Sequence, residues 1–338
     1  MERFWVLGED AALPQKFHIC PCIGSVLVLG FILICFALGD VTFVSPADSL
    51  MYPYGEAYGD ITTPEDDDGG TDSIALTHSV TFFSETYGSL HVNNNGAISF
   101  NGPVTAYTPD GFPIPEFWMI CPYWADVDNE CGGDIFFRQT TEEELMQRLS
   151  KDVNEVFQGL KFKSQWAFIV TWDKVAYHGT ESNKTNTFQA VIAVDYHRTV
   201  VIFNYLDIQW TTGTASGGDA LTGLGGITAQ AGFNAGLKYF NIPLSRTPHI
   251  VNIKSSSNIG RPGRWIFMVH DFQVPGGCIH QDSFLNFGQV MWNDDSCSHK
   301  CSCKHNGKVQ CDAKPCDEGL VCLPSGRHFM CQINEEDC

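Results

Sequence analysis

Residues 188–206 read FQAVIAVDYHRTVVIFNYL, and this stretch decides the fold. Its two apolar runs, 188–194 and 200–206, are rich in β-branched and aromatic side chains, which suit a pleated, packed surface. The polar break of Asp195, Tyr196, His197 and Arg198 leaves room for little more than a turn, so the runs predict a β-hairpin. Working outward, WAFIVTW at 166–172 and WIFMV at 265–269 share this texture. Upstream, 90–92 and 97–100 alternate in period two around Asn93, Asn94, Asn95 and Gly96. Asn-Gly tolerates positive φ, so a second hairpin is expected there. One helix interrupts the series. Thr141 and Glu144 have capping-box spacing, and Leu145, Leu149, Val153 and Val156 recur on one helical face. Short strands, Gly-rich connections and a single helix predict a mainly β, sandwich-like domain.

The rest of the composition narrows the class. The chain has 338 residues, 43% of them hydrophobic, enough for two or three globular units. Lys and Arg total 20 against 39 Asp and Glu, a formal charge of −19. So acidic a surface repels phosphate backbones and anionic membranes, which excludes nucleic acid as a partner. Nine of the 14 cysteines lie at or beyond Cys278, the texture of a disulfide-stapled module in an oxidising compartment. The N-terminus agrees: residues 23–38 are an apolar run, Ala37, Leu38 and Gly39 supply small residues for cleavage, and polar Asp40 follows. Residues 1–39 therefore read as a signal peptide, with an uncleaved signal anchor at the cell surface as the alternative. Either way the body of the chain is extracytoplasmic.

Catalytic signatures are missing from the sequence. It contains no Gly-x-Ser-x-Gly elbow and no His-Glu-x-x-His pair, and the Gly-rich run 213–226 lacks the lysine of a phosphate loop. Asp126 and Asp128, two apart, would share one side of a strand. Their leading reading is capping of backbone amides; calcium coordination and a hydrolytic carboxylate pair are the sharper alternatives. The acidic run of Glu65, Asp66, Asp67, Asp68 and Asp72 lacks the twelve-residue calcium-loop pattern and reads as a solvated face.

Cys297, Cys301 and Cys303 with His299 and His305 could be drawn as a zinc site, but oxidised cysteines offer no thiolate, and disulfides are expected instead. Cys278, Cys297, Cys301, Cys303, Cys311, Cys316, Cys322 and Cys331 would form them, in a connectivity the sequence leaves open. Cys121 and Cys131 would make a local pair. That leaves Cys338 for an intermolecular bond, and with it disulfide-linked self-association, or for a partner in a longer chain. Asn183, in Asn183-Lys184-Thr185, is the expected glycosylation site.

Several segments in one order then become informative. Tyr52-Pro53-Tyr54-Gly55, the acidic-Gly run, the motif at 92–100 and Pro122-Tyr123-Trp124-Ala125-Asp126-Val127-Asp128 come first. They are followed by Asn186-Thr187-Phe188-Gln189, Ile208-Gln209-Trp210-Thr211-Thr212-Gly213, Ala229-Gln230-Ala231-Gly232-Phe233-Asn234 and the run 257–265. The series resembles the nidogen-type extracellular (NIDO) domain in its tectorin-like form. The tail resembles a von Willebrand type C-like module. The resemblance implies a NIDO-like β domain over 40–275, with its core motifs at about 120–270, and a cysteine-rich module over 276–338. It further implies a secreted, non-enzymatic protein of cell–matrix adhesion, without a cofactor, whose partners are matrix or cell-surface proteins. A regulator that binds a soluble growth factor through the cysteine-rich module is the alternative.

Overall fold

The sandwich follows from where the apolar runs pair. The computed structural model describes residues 49–157, 160–280, 283–286, 290–292, 294–304, 308–325 and 328–332. The expected leader at 1–39 and Cys338 lie outside them. Along the chain come β1 (Ile61–Thr62), β2 (Ile74–Phe82), β3 (Glu85–Asn93), β4 (Ala97–Ser99), β5 (Trp118–Trp124), β6 (Val127–Asp128) and β7 (Asp134–Thr140). The helix α1 (Glu143–Val156) precedes β8 (Trp166–Tyr177), β9 (Asn186–Val194), β10 (Thr199–Asp207), β11 (Gln230–Ala235), β12 (Lys238–Asn241) and β13 (Arg264–Met268). Among the described residues one sheet has the order β1-β7-β8-β9-β10-β13, with β6 also on β8. The second has the order β12-β11-β5-β4-β3-β2. Both expected hairpins form: Val194 faces Thr199, and Asn93 faces Ala97.

The first sheet is buried on both faces, which is why its strands read as continuous apolar runs and not as alternation. Phe168, Val170, Trp172, Phe188, Ala190, Ile192, Val201 and Phe203 meet Val92, Ile98, Ile120 and Phe233 of the second sheet in the main core. On the opposite face, Ala167, Ile169, Val191, Ala193, Val200 and Ile202 lie under Leu145, Leu149 and Val153 of α1. The helix starts differently from expectation. Its N-cap is Glu142, without a side-chain cap bond, so Thr141 does not cap it. Glu143 and Glu144 occupy the first turn, where their charge complements the helix dipole.

A buried polar network pins the chain's entry under this helix. Arg264 donates from Nη1 to Asp152 Oδ2 at 2.8 Å and from Nε to Asn204 Oδ1 at 2.8 Å. It also donates to the Leu50 carbonyl. The Tyr52 hydroxyl donates to Asp152 Oδ2 at 2.6 Å, and Gln189 bonds both the backbone N–H and the carbonyl of Tyr52. The Arg148 and Arg264 guanidinium groups lie over the Tyr52 ring at 4.3 and 5.1 Å.

The cysteine-rich region carries more strand than its sequence suggests. β14 (Gly277–His280) pairs with β15 (Ser283–Asn286). A further sheet joins β16 (Val290–Trp292), β17 (His299–Cys303), β18 (Val309–Ala313), β19 (Val321–Ser325) and β20 (His328–Gln332). Disulfides link Cys278 to Cys303, Cys297 to Cys322, Cys301 to Cys311 and Cys316 to Cys331. With Cys297, Cys301 and Cys303 oxidised, no thiolate set for zinc remains in Cys297–Cys303. So small an apolar cluster as Cys278, Leu285, Met291, Cys301 and Cys303 relies on such staples for its stability.

Candidate functional site

Three sequence features that looked separate meet in one place. The Asn hairpin between β3 and β4 grips the acidic segment: Asn94 Nδ2 donates to the Asp66 carbonyl at 2.7 Å, and Asn95 Nδ2 donates to Asp68 Oδ1 at 2.9 Å. The backbone N–H of Asn94 donates to the Gly69 carbonyl at 2.9 Å, and that of Asp66 donates to Asn129 Oδ1 at 3.0 Å. Asn95 also reaches across to the other motif, its Oδ1 accepting from the Val127 N–H at 2.8 Å. Gly96 makes this approach possible: it has φ +78°, and a Cβ there would lie 2.0 Å from the Tyr123 carbonyl oxygen. Just past β8, His178 donates its backbone N–H to the Asp126 carbonyl, and its Nδ1 lies 2.8 Å from Asp67 Oδ2.

The acidic run is therefore not wholly a solvated face. Glu65, Asp66 and Asp72 are exposed, but Asp67 and Asp68 turn inward toward Asp126, Asp128 and His178. The two aspartates of the 124–128 motif divide the readings proposed for them. Asp128 Oδ1 accepts the backbone N–H groups of Glu130 and Cys131 at 3.0 and 3.2 Å, the amide-capping role. Asp126 is 1% exposed, and its Oδ2 has no hydrogen-bond partner.

Electrostatics record the crowding. Burial pushes the Asp126 carboxyl up to about 7; Asp67, Asp68 and Asp128 add like charge, and His178 opposes them. Asp128 is raised to about 6, first by burial and then by Asp67, against the Cys131 and Glu130 amides and His178. Burial likewise raises Asp68, while the Asn95 bond lowers it. The hydrogen bond to Asp67 holds His178 up at about 9 in spite of burial, with further help from Asp126 and Asp128. Four carboxylates thus face one imidazole.

A second feature of the surface is apolar. The two-residue turn of Gly236 and Leu237 between β11 and β12 holds Leu237 79% exposed. Beside it runs an open groove of about 490 Å³ lined by Phe83, Tyr87, Pro115 and Trp118, with charged Glu85 and Lys238 also on its walls. The aromatic walls are fixed from behind, Tyr87 stacking on Phe100 at 4.5 Å and Phe83 on Phe272 at 4.9 Å. Tyr87 and Trp118 are of the residue types enriched in protein-binding hot spots, and the groove sets them beside an exposed leucine.

The expected Cys121–Cys131 pair does not form. Cys121 is a free thiol in β5, on the second sheet, buried with Val104, Phe112, Ile114, Met119 and Trp124. Cys131 follows β6, which belongs with β8 on the first sheet, and it is disulfide-bonded elsewhere. Short sequence separation suggested a bond that the two sheets keep apart. Asn183 is exposed in the loop between β8 and β9, where a glycan has room.

Comparison with known proteins agrees with this architecture. Residues 88–271 match the nidogen-like domain. Human alpha-tectorin is 44% identical over 294 residues, which cover 85% of this chain and 14% of the human protein. Mouse nidogen-1 is 30% identical over 70% of this chain and 20% of its own length. The Dendrite extension defective protein 1 of Caenorhabditis elegans is 28% identical over 86% of this chain and 24% of its own. The chain thus spans between about a seventh and a quarter of the length of these relatives. No solved structure gives a significant match.

Proposed function

The chain belongs to the nidogen-like domain family, homologous to extracellular-matrix adhesion proteins of the tectorin and nidogen type, and from that premise we propose that it is a secreted, non-enzymatic adhesion module working through protein-binding surfaces. The observation that carries the reading is the groove beside Leu237. A leucine held out at a two-residue turn adds nothing to the core, yet with Phe83, Tyr87 and Trp118 it offers a preformed apolar anchor site. Because the walls are packed in advance, a partner orders few side chains on binding, which lowers the entropic cost of recognition. The mechanism is recognition by shape and apolar area, with the disulfide-stapled tail as a second rigid surface.

The test is attachment of cells, and of matrix proteins in solution, to surfaces coated with the secreted full chain or with Leu237→Asp. Leu237 is exposed, so the variant keeps its fold while placing a charge in the groove. Dose-dependent attachment that falls sharply in Leu237→Asp is the expected result. Equal attachment by both proteins would remove the groove from the proposal. No attachment by the wild-type chain would overturn the adhesion reading itself.

A further inference from the structure

We propose that Asp67 and Asp126 form a calcium-binding site that ties the acidic segment before β2 to the turn between β5 and β6. Asp126 is 1% exposed, and its Oδ2 has no donor; Asp67 Oδ1 is also buried without one. A buried carboxylate oxygen that accepts nothing is costly unless something cationic completes it. The nearby Asn94 Oδ1, on the hairpin that grips the segment, is likewise buried without a donor.

The spacing fits one ion. Ligand atoms of Asp67, Asp126 and His178 all lie within 4.8 Å of one another. Calcium takes oxygens at about 2.3–2.6 Å, so ligands on opposite sides of it are about 5 Å apart. The surrounding chemistry favours a hard cation. Asp68 and Asp128 add negative charge at the rim, and their oxygens are partly taken by Asn95 and by backbone amides. His178 already contacts Asp67 through Nδ1. It acts as the counter-charge that an incoming calcium ion displaces, because oxygen donors suit calcium and imidazole does not. The ion would add a direct tie between the acidic segment and the stretch Trp124–Asp128, which His178 and the Asn hairpin already hold by hydrogen bonds.

The test is calorimetric titration of the secreted, disulfide-intact full chain with calcium after chelator treatment, alongside thermal unfolding with and without millimolar calcium. The expected result is calcium binding with a rise in melting temperature, both abolished in Asp126→Asn. In Asp67→Asn the affinity should weaken by about tenfold or more, since calcium affinity follows the count of charged ligands. Asp67 is only half-buried, so this second variant keeps the proposal testable if Asp126→Asn misfolds. His178→Gln should bind calcium at least as tightly as the wild type. No binding by the wild-type chain would overturn the proposal, as would unchanged binding in both aspartate variants. Zinc binding in place of calcium, lost in His178→Gln, would overturn the calcium assignment by making the imidazole a ligand.

Discussion

Replacing Arg264 with Met should unfold the helical face of the sandwich more readily than any surface change, and the size of the effect follows from what Arg264 touches. The side chain is 1% exposed and serves the Asp152 carboxylate, the Asn204 amide oxygen and the Leu50 carbonyl at once. Met fills similar volume and serves none of them. Breaking a buried ion pair from one side costs about 3–5 kcal/mol, because the remaining charge stays buried. Two features hold that term near its lower end: Tyr52 still donates to Asp152, and Arg148 Nε stands 4.0 Å from it. Stranding the Leu50 and Asn204 oxygens adds about 1 kcal/mol or more. The total is about 4 kcal/mol, or a fall of roughly 10 °C in melting temperature for a domain of this size. Urea unfolding followed by tryptophan fluorescence, with the disulfides kept oxidised, would measure it. The double variant Arg264→Met, Asp152→Leu removes the stranded charge and should recover about half of the loss. A single variant within about 1 kcal/mol of wild type would refute the reasoning, as would a double variant less stable than the single.

Three other outcomes follow from local geometry. Gly96→Ala should cost several kcal/mol, more than the roughly 1 kcal/mol of a left-handed alanine alone, because its Cβ would strike the Tyr123 carbonyl; urea unfolding measures it, and a loss under about 1 kcal/mol would contradict the packing. Burial alone would raise Asp195, but Arg198 and the amides of His197 and Arg198 outweigh it and hold its carboxyl below the usual range. It therefore contributes stability above the ordinary carboxylate pKa of about 4 that is lost as pH falls through its lowered folded value, so Asp195→Asn should flatten the acid limb of the stability–pH curve. Removing the Cys278–Cys303 bond with paired serines should expose residues 276–332 to proteolysis, at a cost of about 2–5 kcal/mol to that region, and an unchanged digestion pattern would show the bond to be dispensable.

Much of the fold was legible because burial writes itself into apolar patterning. Strands β8, β9 and β10 are apolar at consecutive positions since α1 covers one face and the second sheet the other, and Leu145, Leu149 and Val153 show the helix side of that contact. The site was less legible. Asp67 and Asp68 sit in a run with no apolar residue to mark packing, and what turns them inward is the amides of Asn94, Asn95 and Asn129 together with the distant His178. Neutral amides leave no charge signal, and the Asn run also satisfied the simpler reading of a hairpin. The groove at Leu237 was invisible for another reason. Phe83 and Tyr87 share one hairpin but Trp118 lies about thirty residues on and Leu237 farther still, and nothing in an alternating strand says which aromatic faces a cleft. Cys121 shows the converse error, a chemical inference from sequence distance where strand pairing sets the distance in space.

Asp126 and Asp128 make the sharpest use of this geometry, since residues two apart should respond with opposite signs. Asp128 caps the turn after β6, so Asp128→Ala frees the Glu130 and Cys131 amides and should cost about 1–2 kcal/mol. Asp128→Asn keeps an acceptor oxygen and should recover most of that. Asp126 does no such work: its Oδ2 accepts nothing and packs where a Cβ on Gly213 would lie 2.3 Å away. In calcium-free buffer, Asp126→Asn removes a carboxylate that burial, Asp67, Asp68 and Asp128 disfavour more than His178 favours it, and it should stabilise the fold by about 1 kcal/mol. Such a division is hard to reconcile with a hydrolytic pair, in which both carboxylates must face a substrate. One member here is committed to backbone amides, so the pair does not face a substrate together. Urea unfolding of the three variants in chelator decides the matter. If Asp126→Asn lost stability there, Asp126 would be a structural acceptor like Asp128, and its unpartnered oxygen would carry no meaning.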